Sequence, residues 1–245
     1  MKRSRKRKLG IIGVLFLLIC VLAAWSVQKL GWPITTKIRD GKMQVIDVSS
    51  YNGTINWRKV KQKQINHAML KIGSGIGGTH KGSEDRKFII NARNAKYASI
   101  YYGVYYYSYA RTPQDAKKEA RHCLSILKKY RIQPSDLKLP VAFDIEEEAV
   151  FQTGKKNVTA IATTFCKEIK KAGYEPMIYS KASALIKYFE YGKIKNYEIW
   201  VAHYTKAVIP AIPYSYRMWQ YTCTASIPGA NTENGHCDVS YYRVK

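Results

Sequence analysis

The chain has 245 residues, 46% hydrophobic and 13% aromatic, enough apolar material for one sizeable core of barrel dimensions and too much for a disordered chain. Lysine and arginine outnumber aspartate and glutamate by 41 to 17, a net charge of +24, so the partners it favours are anionic, an acidic membrane face or a polyanionic wall. No helix-turn-helix, zinc-finger spacing or RNP-type signature accompanies the charge, which sets nucleic acid aside.

Six bases, Lys2, Arg3, Arg5, Lys6, Arg7 and Lys8, make residues 1–8 a cytoplasmic segment, and the rest of the chain still carries +18. Residues 9–27, LGIIGVLFLLICVLAAWSV, run nineteen positions without a charge, long enough as a helix to cross a hydrocarbon core of about 30 Å. With the bases held inside, this predicts a single-pass membrane protein whose folded domain lies outside the cell. A signal peptide cut after Ser26 is the rival reading and would make the protein secreted, but the run is long for a signal core. Bulky Ile19 before Cys20 argues against a lipoprotein cleavage site. Residues 28–42 read as a linker and 43–245 as one domain, expected to be monomeric.

Within that domain, strand-like runs at 43–49, 67–73, 100–108, 139–146, 175–180, 197–204, 215–221 and 236–240 alternate at first with helical patterns at 56–64, 84–98, 112–130, 156–172 and 182–190. Thr112 caps the third helix with Pro113 at its first position, and Gly173 stops the fourth. Strands alternating with helices predict a parallel sheet, and eight of them an α/β barrel of the (β/α)8 type. Pro210 and Pro213 in one late connection, and the Gly, Asn, Thr and Pro of 222–235, leave no full helices there. The expected fold is therefore an irregular, flattened barrel with helices missing between its last strands.

Of the cysteines in this domain, Cys223 and Cys237 flank one loop and, in an oxidising compartment, are placed to close it as a disulfide. Cys123 and Cys166 fall on apolar helix faces and read as buried thiols.

The segment Leu139-Pro140-Val141-Ala142-Phe143-Asp144-Ile145-Glu146-Glu147-Glu148 is an apolar strand ending in acids. Strand alternation puts Asp144 and Glu146 on one face with Cα atoms roughly 6.5 Å apart, within reach of the carboxyl separations used on glycosidic bonds. Glu147 and Glu148 read as loop acids. Barrel chemistry sits at the C-terminal strand ends, where Asp47 and Asp238 also fall, and closure of the barrel makes the first and last strands neighbours. Tyr105, Tyr107, Tyr179, Trp200, Tyr204, Trp219 and Tyr221 gather at the same rim, flat rings that suit the C–H faces of a sugar.

The motifs Ile46-Asp47-Val48-Ser49, Ile55-Asn56-Trp57, Leu70-Lys71-Ile72-Gly73, Gly103-Val104-Tyr105, Phe143-Asp144-Ile145-Glu146, Ile178-Tyr179-Ser180, Trp200-Val201-Ala202-His203-Tyr204, Trp219-Gln220-Tyr221 and Asp238-Val239-Ser240 stand in one order along the domain. In this the chain resembles the glycoside hydrolase family 25 lysozymes, N-acetylmuramidases of the Chalaropsis type. The resemblance implies cleavage of the β-1,4 bond between N-acetylmuramic acid and N-acetylglucosamine in peptidoglycan. It places the general acid on Glu146, its partner carboxylate on Asp144 and two further active-site acids on Asp47 and Asp238.

Asp144 would orient the substrate's acetamido group or stabilise the cationic centre by charge. Like-charge crowding supplies the raised pKa that a general acid needs, and no metal or cofactor is required. The chain departs from the family pattern at Asn52, Tyr106 and Gly73-Ser74-Gly75. The alternative function is a membrane-tethered protein of the same fold that binds peptidoglycan without cutting it. Four mutually repelling carboxyls argue against that alternative.

Overall fold

The computed structural model describes residues 42–207 and 209–243, so the charge-free run at 9–27 and the linker lie outside the described residues. Among the described residues, no helix is long and apolar enough to cross a membrane.

In chain order the elements are β1 (Lys42–Val48), α1 (Trp57–Gln62), β2 (His67–Gly77), β3 (His80–Glu84), α2 (Phe88–Tyr97), β4 (Tyr101–Tyr107), α3 (Pro113–Lys129), β5 (Val141–Asp144), α4 (Glu148–Phe151), α5 (Lys155–Lys171), β6 (Pro176–Lys181), α6 (Ala182–Tyr188), α7 (Tyr191–Ile194), β7 (Glu198–Ala202), β8 (Met218–Ala225) and β9 (Cys237–Arg243). The sheet runs β1-β9-β8-β7-β6-β5-β4-β2 and closes through a β1–β2 pairing, with β3 attached to β2 outside the ring. This is the expected α/β barrel of eight strands. None of the described residues in 203–217 or 226–236 is helical, as the prolines and turn residues there implied.

Two features correct the expectation of a parallel sheet. β9 pairs antiparallel with both β8 and β1, and β3 folds back antiparallel on β2. The β8–β9 connection explains the first, since a parallel crossover needs a dozen or more residues, usually with a helix, while a hairpin does not. β3 is HKGSE, polar and largely exposed, and so lacked the apolar alternation that marks a strand.

Two apolar layers hold the barrel together. Inside it, Val45, Met69, Leu139, Ala142, Met177, Trp200, Met218 and Tyr242 fill the lower interior. Outside, alternate residues such as Ile46, Leu70, Val104, Phe143, Ile178 and Val201 meet the helices. α3 begins where Thr112 Oγ1 accepts the Asp115 amide at 3.1 Å and Pro113 sets the first turn. Its buried face, Ala116, Ala120, Cys123 and Leu127, follows helical spacing, and α5 presents Val158, Ile161, Phe165 and Ile169. Phe165 stacks on Phe143 with ring centroids 3.9 Å apart, so the strand that carries the central acids is clamped from behind. Cys123 and Cys166 are free and buried on these helix faces, as expected.

One buried residue had no place in the sequence reading. Glu119, on the inner face of α3, is fully buried, and its Oε1 accepts the amides of Ile76 at 2.8 Å and Tyr109 at 2.9 Å. Its Oε2 accepts the Ser108 hydroxyl at 2.7 Å. It thus ties the β2–β3 hairpin to the segment after β4, and burial pushes its pKa from 4.5 to about 7 despite those three donors.

A carboxyl whose pKa is higher folded than unfolded stabilises the fold at low pH and loses that contribution as pH rises through the folded value. Stability should therefore fall by about 3 kcal/mol from this group between pH 4.5 and 7. Glu119→Gln keeps both amides satisfied through its Oε1 and turns the Ser108 contact round, with Nε2 donating to the hydroxyl oxygen, without a charge to bury. Denaturant unfolding across that range should show the variant gaining on the parent by about that amount as pH rises. A constant difference between the two at every pH would refute the assignment.

Candidate active site

Period-two alternation decides which strand residues enter the barrel, and above the apolar floor it turns polar. Asp47, Lys71, Tyr105, Asp144, Tyr179, Gln220 and Asp238 point inward at the C-terminal end of the parallel strands and line a cleft of about 370 Å³. The register makes them neighbours. Asp47 pairs with Asp238 across β1 and β9, and Asp144 sits between Tyr107 of β4 and Tyr179 of β6. Asp238 stands near the start of its strand and reaches this rim only because β9 runs backwards.

Glu146 lies two residues beyond Asp144, and the strand geometry carries on to it. Ile145 donates its amide to Tyr179 O at 3.0 Å, and the Ser180 hydroxyl donates to Ile145 O at 2.6 Å. Glu146 is therefore on the same face as Asp144. It also lines a second cavity of about 640 Å³ with Lys181, Ser183, Ile186, His203 and Tyr204. It stands at the partition between the two spaces.

Burial raises the pKa of all four acids, but their neighbours differ. Asp47 is pushed well up by burial and then by the charge of Asp238. A hydrogen bond joins these two carboxyls, so they titrate as a pair that keeps a proton above the ordinary carboxylate range. The Gln220 amide donates to Asp47 Oδ2 at 3.0 Å, and its Oε1 accepts the hydroxyls of Tyr179 at 2.8 Å and Tyr204 at 2.7 Å.

Asp144 is pushed well up by burial and by Glu146, with Lys71 opposing. Its Oδ1 is buried without a partner among the described residues. Glu146 is raised by burial, opposed by Lys181 and by the neighbouring Tyr179 hydroxyl. Two neighbouring acids in such surroundings keep one proton between them at a pH where free carboxyls have lost theirs.

Tyr105, Tyr179 and Trp200 line the main cleft, and Tyr204 lines the second cavity. Trp200 is a wall, 2% exposed, with its Nε1 donating to Ser240 Oγ at 3.0 Å. Trp219, expected at the site, is not there. It pairs with Val201 on the outer face of β8, packs in the helix-side core and donates to His203 O at 2.9 Å. Strand alternation gives the inward position to Gln220 instead, which the motif Trp219-Gln220-Tyr221 contained.

The expected Cys223–Cys237 disulfide is also corrected, since both thiols are free. Ala225, not Cys223, lies opposite Cys237, because the register slips between Thr222 and Ala225.

Other rim residues were missed or underrated. Tyr51, in the loop after β1, is 79% exposed at the cleft mouth. Glu147 accepts the Tyr107 hydroxyl at 2.7 Å and is more than a free loop acid, whereas Glu148 is exposed. Asn52 accepts the Ser49 amide at 2.9 Å and donates to Ala230 O at 2.8 Å, which pins the loop after β1 to the loop after β8.

A barrel whose inner upper layer combines crowded carboxyls with aromatic walls is the site of a glycoside hydrolase. The chain belongs to the glycosyl hydrolases family 25, whose family model matches residues 46–230. Among solved structures it is similar to the modular autolysin LytC of Streptococcus pneumoniae, at 29% identity and a TM-score of 0.70 over 82% of this chain. That match covers 46% of the autolysin, so this chain spans less than half of its length. The autolysin has also been solved with a synthetic peptidoglycan ligand. A bacterial lysozyme from Streptomyces coelicolor shares the fold at 23% identity and a TM-score of 0.65, over 83% of this chain and 93% of its own. A family 25 glycosyl hydrolase from Bacillus anthracis does so at 20% identity and 0.65, over 85% and 92%. No match was found among curated proteins.

Proposed function

We propose that the chain is a muramidase, held at the outer face of the cell membrane by residues 9–27, that hydrolyses the β-1,4 bond between N-acetylmuramic acid and N-acetylglucosamine in peptidoglycan. The observation that carries this reading is the convergence of Asp47, Asp144, Glu146 and Asp238 on one aromatic-walled cleft inside a family 25 domain. The likeness to LytC, an autolysin solved with a synthetic peptidoglycan ligand, supports the substrate class.

In the proposed reaction Glu146 gives its proton to the leaving oxygen. It is the acid that faces both cavities, so the scissile bond lies across it, with glycan on either side. Asp144, deeper and with an Oδ1 that has no partner among the described residues, faces the reacting sugar, where it orients the 2-acetamido group or stabilises positive charge at the anomeric carbon. Asp47 is buried, paired with Asp238 and fixed by Gln220, so it positions Asp238 and the floor of the cleft rather than attacking substrate.

The test is incubation of the full chain with purified peptidoglycan and analysis of the released fragments. New reducing ends on muramic acid are expected. New reducing ends on glucosamine would overturn the bond assignment, and co-sedimentation without fragments would favour the binding protein. Fractionation settles the location, since a tethered chain stays with membranes at full length.

A further inference from the structure

In this barrel the helices run back against the strands, so their C-terminal turns lie at the end opposite the cleft. Those last turns carry Lys61 on α1, Lys96 on α2, Lys128 and Lys129 on α3, and Lys170 and Lys171 on α5. A helix dipole favours a cation in this place, but the charge here goes further. Between the ends of α2 and α3 lies a cavity of about 400 Å³ whose wall includes Arg93, Lys96, Lys129 and Arg131, over a floor containing Tyr102 and Ile132.

Asp136 is the one acid in that lining, and it sits 3.5 Å from Lys96, while Lys129 pairs with Glu84 at 2.8 Å. Neither Arg93 nor Arg131 has a carboxylate partner among the described residues. Two unpaired guanidinium groups beside an open cavity suit a phosphate ester, which arginine can bind in bidentate fashion. Tyr97 and Tyr101, 89% and 53% exposed, stand at the same end, and exposed tyrosine is the residue type that settles at membrane interfaces.

The chain's own layout decides which phosphate. β1 begins at this end, with Lys42 paired to Arg243. The residues between the charge-free run and β1, 28–41, reach at most about 50 Å when fully extended. We propose that this basic end of the barrel docks on an anionic phospholipid surface, with a lipid phosphate entering the cavity between Arg93 and Arg131. The proposal rests on the membrane-tethered reading, and it turns the cleft away from the membrane, towards the wall.

The experiment uses the full chain reconstituted into vesicles of phosphatidylcholine alone or of phosphatidylcholine with phosphatidylglycerol. An amine-reactive label is read residue by residue by mass spectrometry. Lys96 and Lys128 should be protected on the anionic vesicles and not on the neutral ones. Lys155, at the start of α5 and so at the cleft end, should label equally on both.

Arg93→Gln with Arg131→Gln changes exposed side chains and should leave hydrolysis of soluble peptidoglycan fragments unaltered. It should weaken the docking equilibrium roughly thirty-fold. Equal labelling on both vesicle types, or protection that survives the double substitution, would overturn the proposal. If a soluble wall polyphosphate protects Lys96 and Lys128 on neutral vesicles as well as the anionic lipid does, the site belongs to the wall polymer and the lipid assignment fails. Retention on vesicles through an alkaline carbonate wash reports the tether separately. A washed-off chain refutes the tether, while the docking face is still judged by whether protection depends on anionic lipid.

Discussion

Glu146→Gln should lower turnover on peptidoglycan by about a thousand-fold or more while leaving the fold unchanged. General acid assistance contributes about 10² to 10⁴ in rate, and here it falls on the most demanding step, departure of a sugar oxygen that cannot leave as an anion. Glutamine keeps the shape and the hydrogen bonding but has no proton to give. Glu146 is half-buried and lines open space on two sides, so the melting temperature should hold.

The pH profile provides a second reading of the same variant. Burial raises the Glu146 pKa, so the parent should stay active above the ordinary carboxylate range and lose activity as the shared proton is titrated away. That alkaline limb should be missing from whatever residual activity the variant has. Activity within ten-fold of the parent would remove Glu146 from its role.

Asp144→Asn should cut turnover by about a hundred- to a thousand-fold, the usual loss when one preorganised electrostatic group facing the reacting centre is removed. It should also raise stability at neutral pH. Asp144 is buried, crowded by Glu146 and Asp47, and its Oδ1 has no partner among the described residues, so the folded state strains against its charge. Asparagine relieves that repulsion at nearly constant volume. Opposite movement of activity and melting temperature is the signature of a site arranged for chemistry at the expense of the fold. If the variant loses both, Asp144 is a structural residue and the reading of its free oxygen is wrong.

The eight barrel strands, the major helices and the lack of helices late in the chain were legible because apolar periodicity and proline or glycine punctuation are local signals. The direction of β9 was harder to read. Alternation looks the same in a parallel and an antiparallel strand, and only the helix-free connection after β8 hinted at a hairpin.

The acids were legible for a similar reason, since Asp47, Asp144 and Asp238 each interrupt an apolar run. Trp219 was misplaced because an aromatic ring draws the eye toward a sugar site, while the plain period of two assigns the inward position to Gln220. Glu119 was out of reach. Its partners are two backbone amides and a hydroxyl from separate segments, and nothing in the sequence marks where those will converge.

The backward course of β9 has a consequence for how this domain can be attached to anything else. Because the last barrel strand returns beside the first, Lys42 and Arg243 are paired neighbours, and both ends of the barrel open on the side away from substrate. A leash or a fused module at either end would leave the glycan path clear. For the same reason, joining the two ends with a few glycines and reopening the ring at an exposed loop would leave the four acids in place.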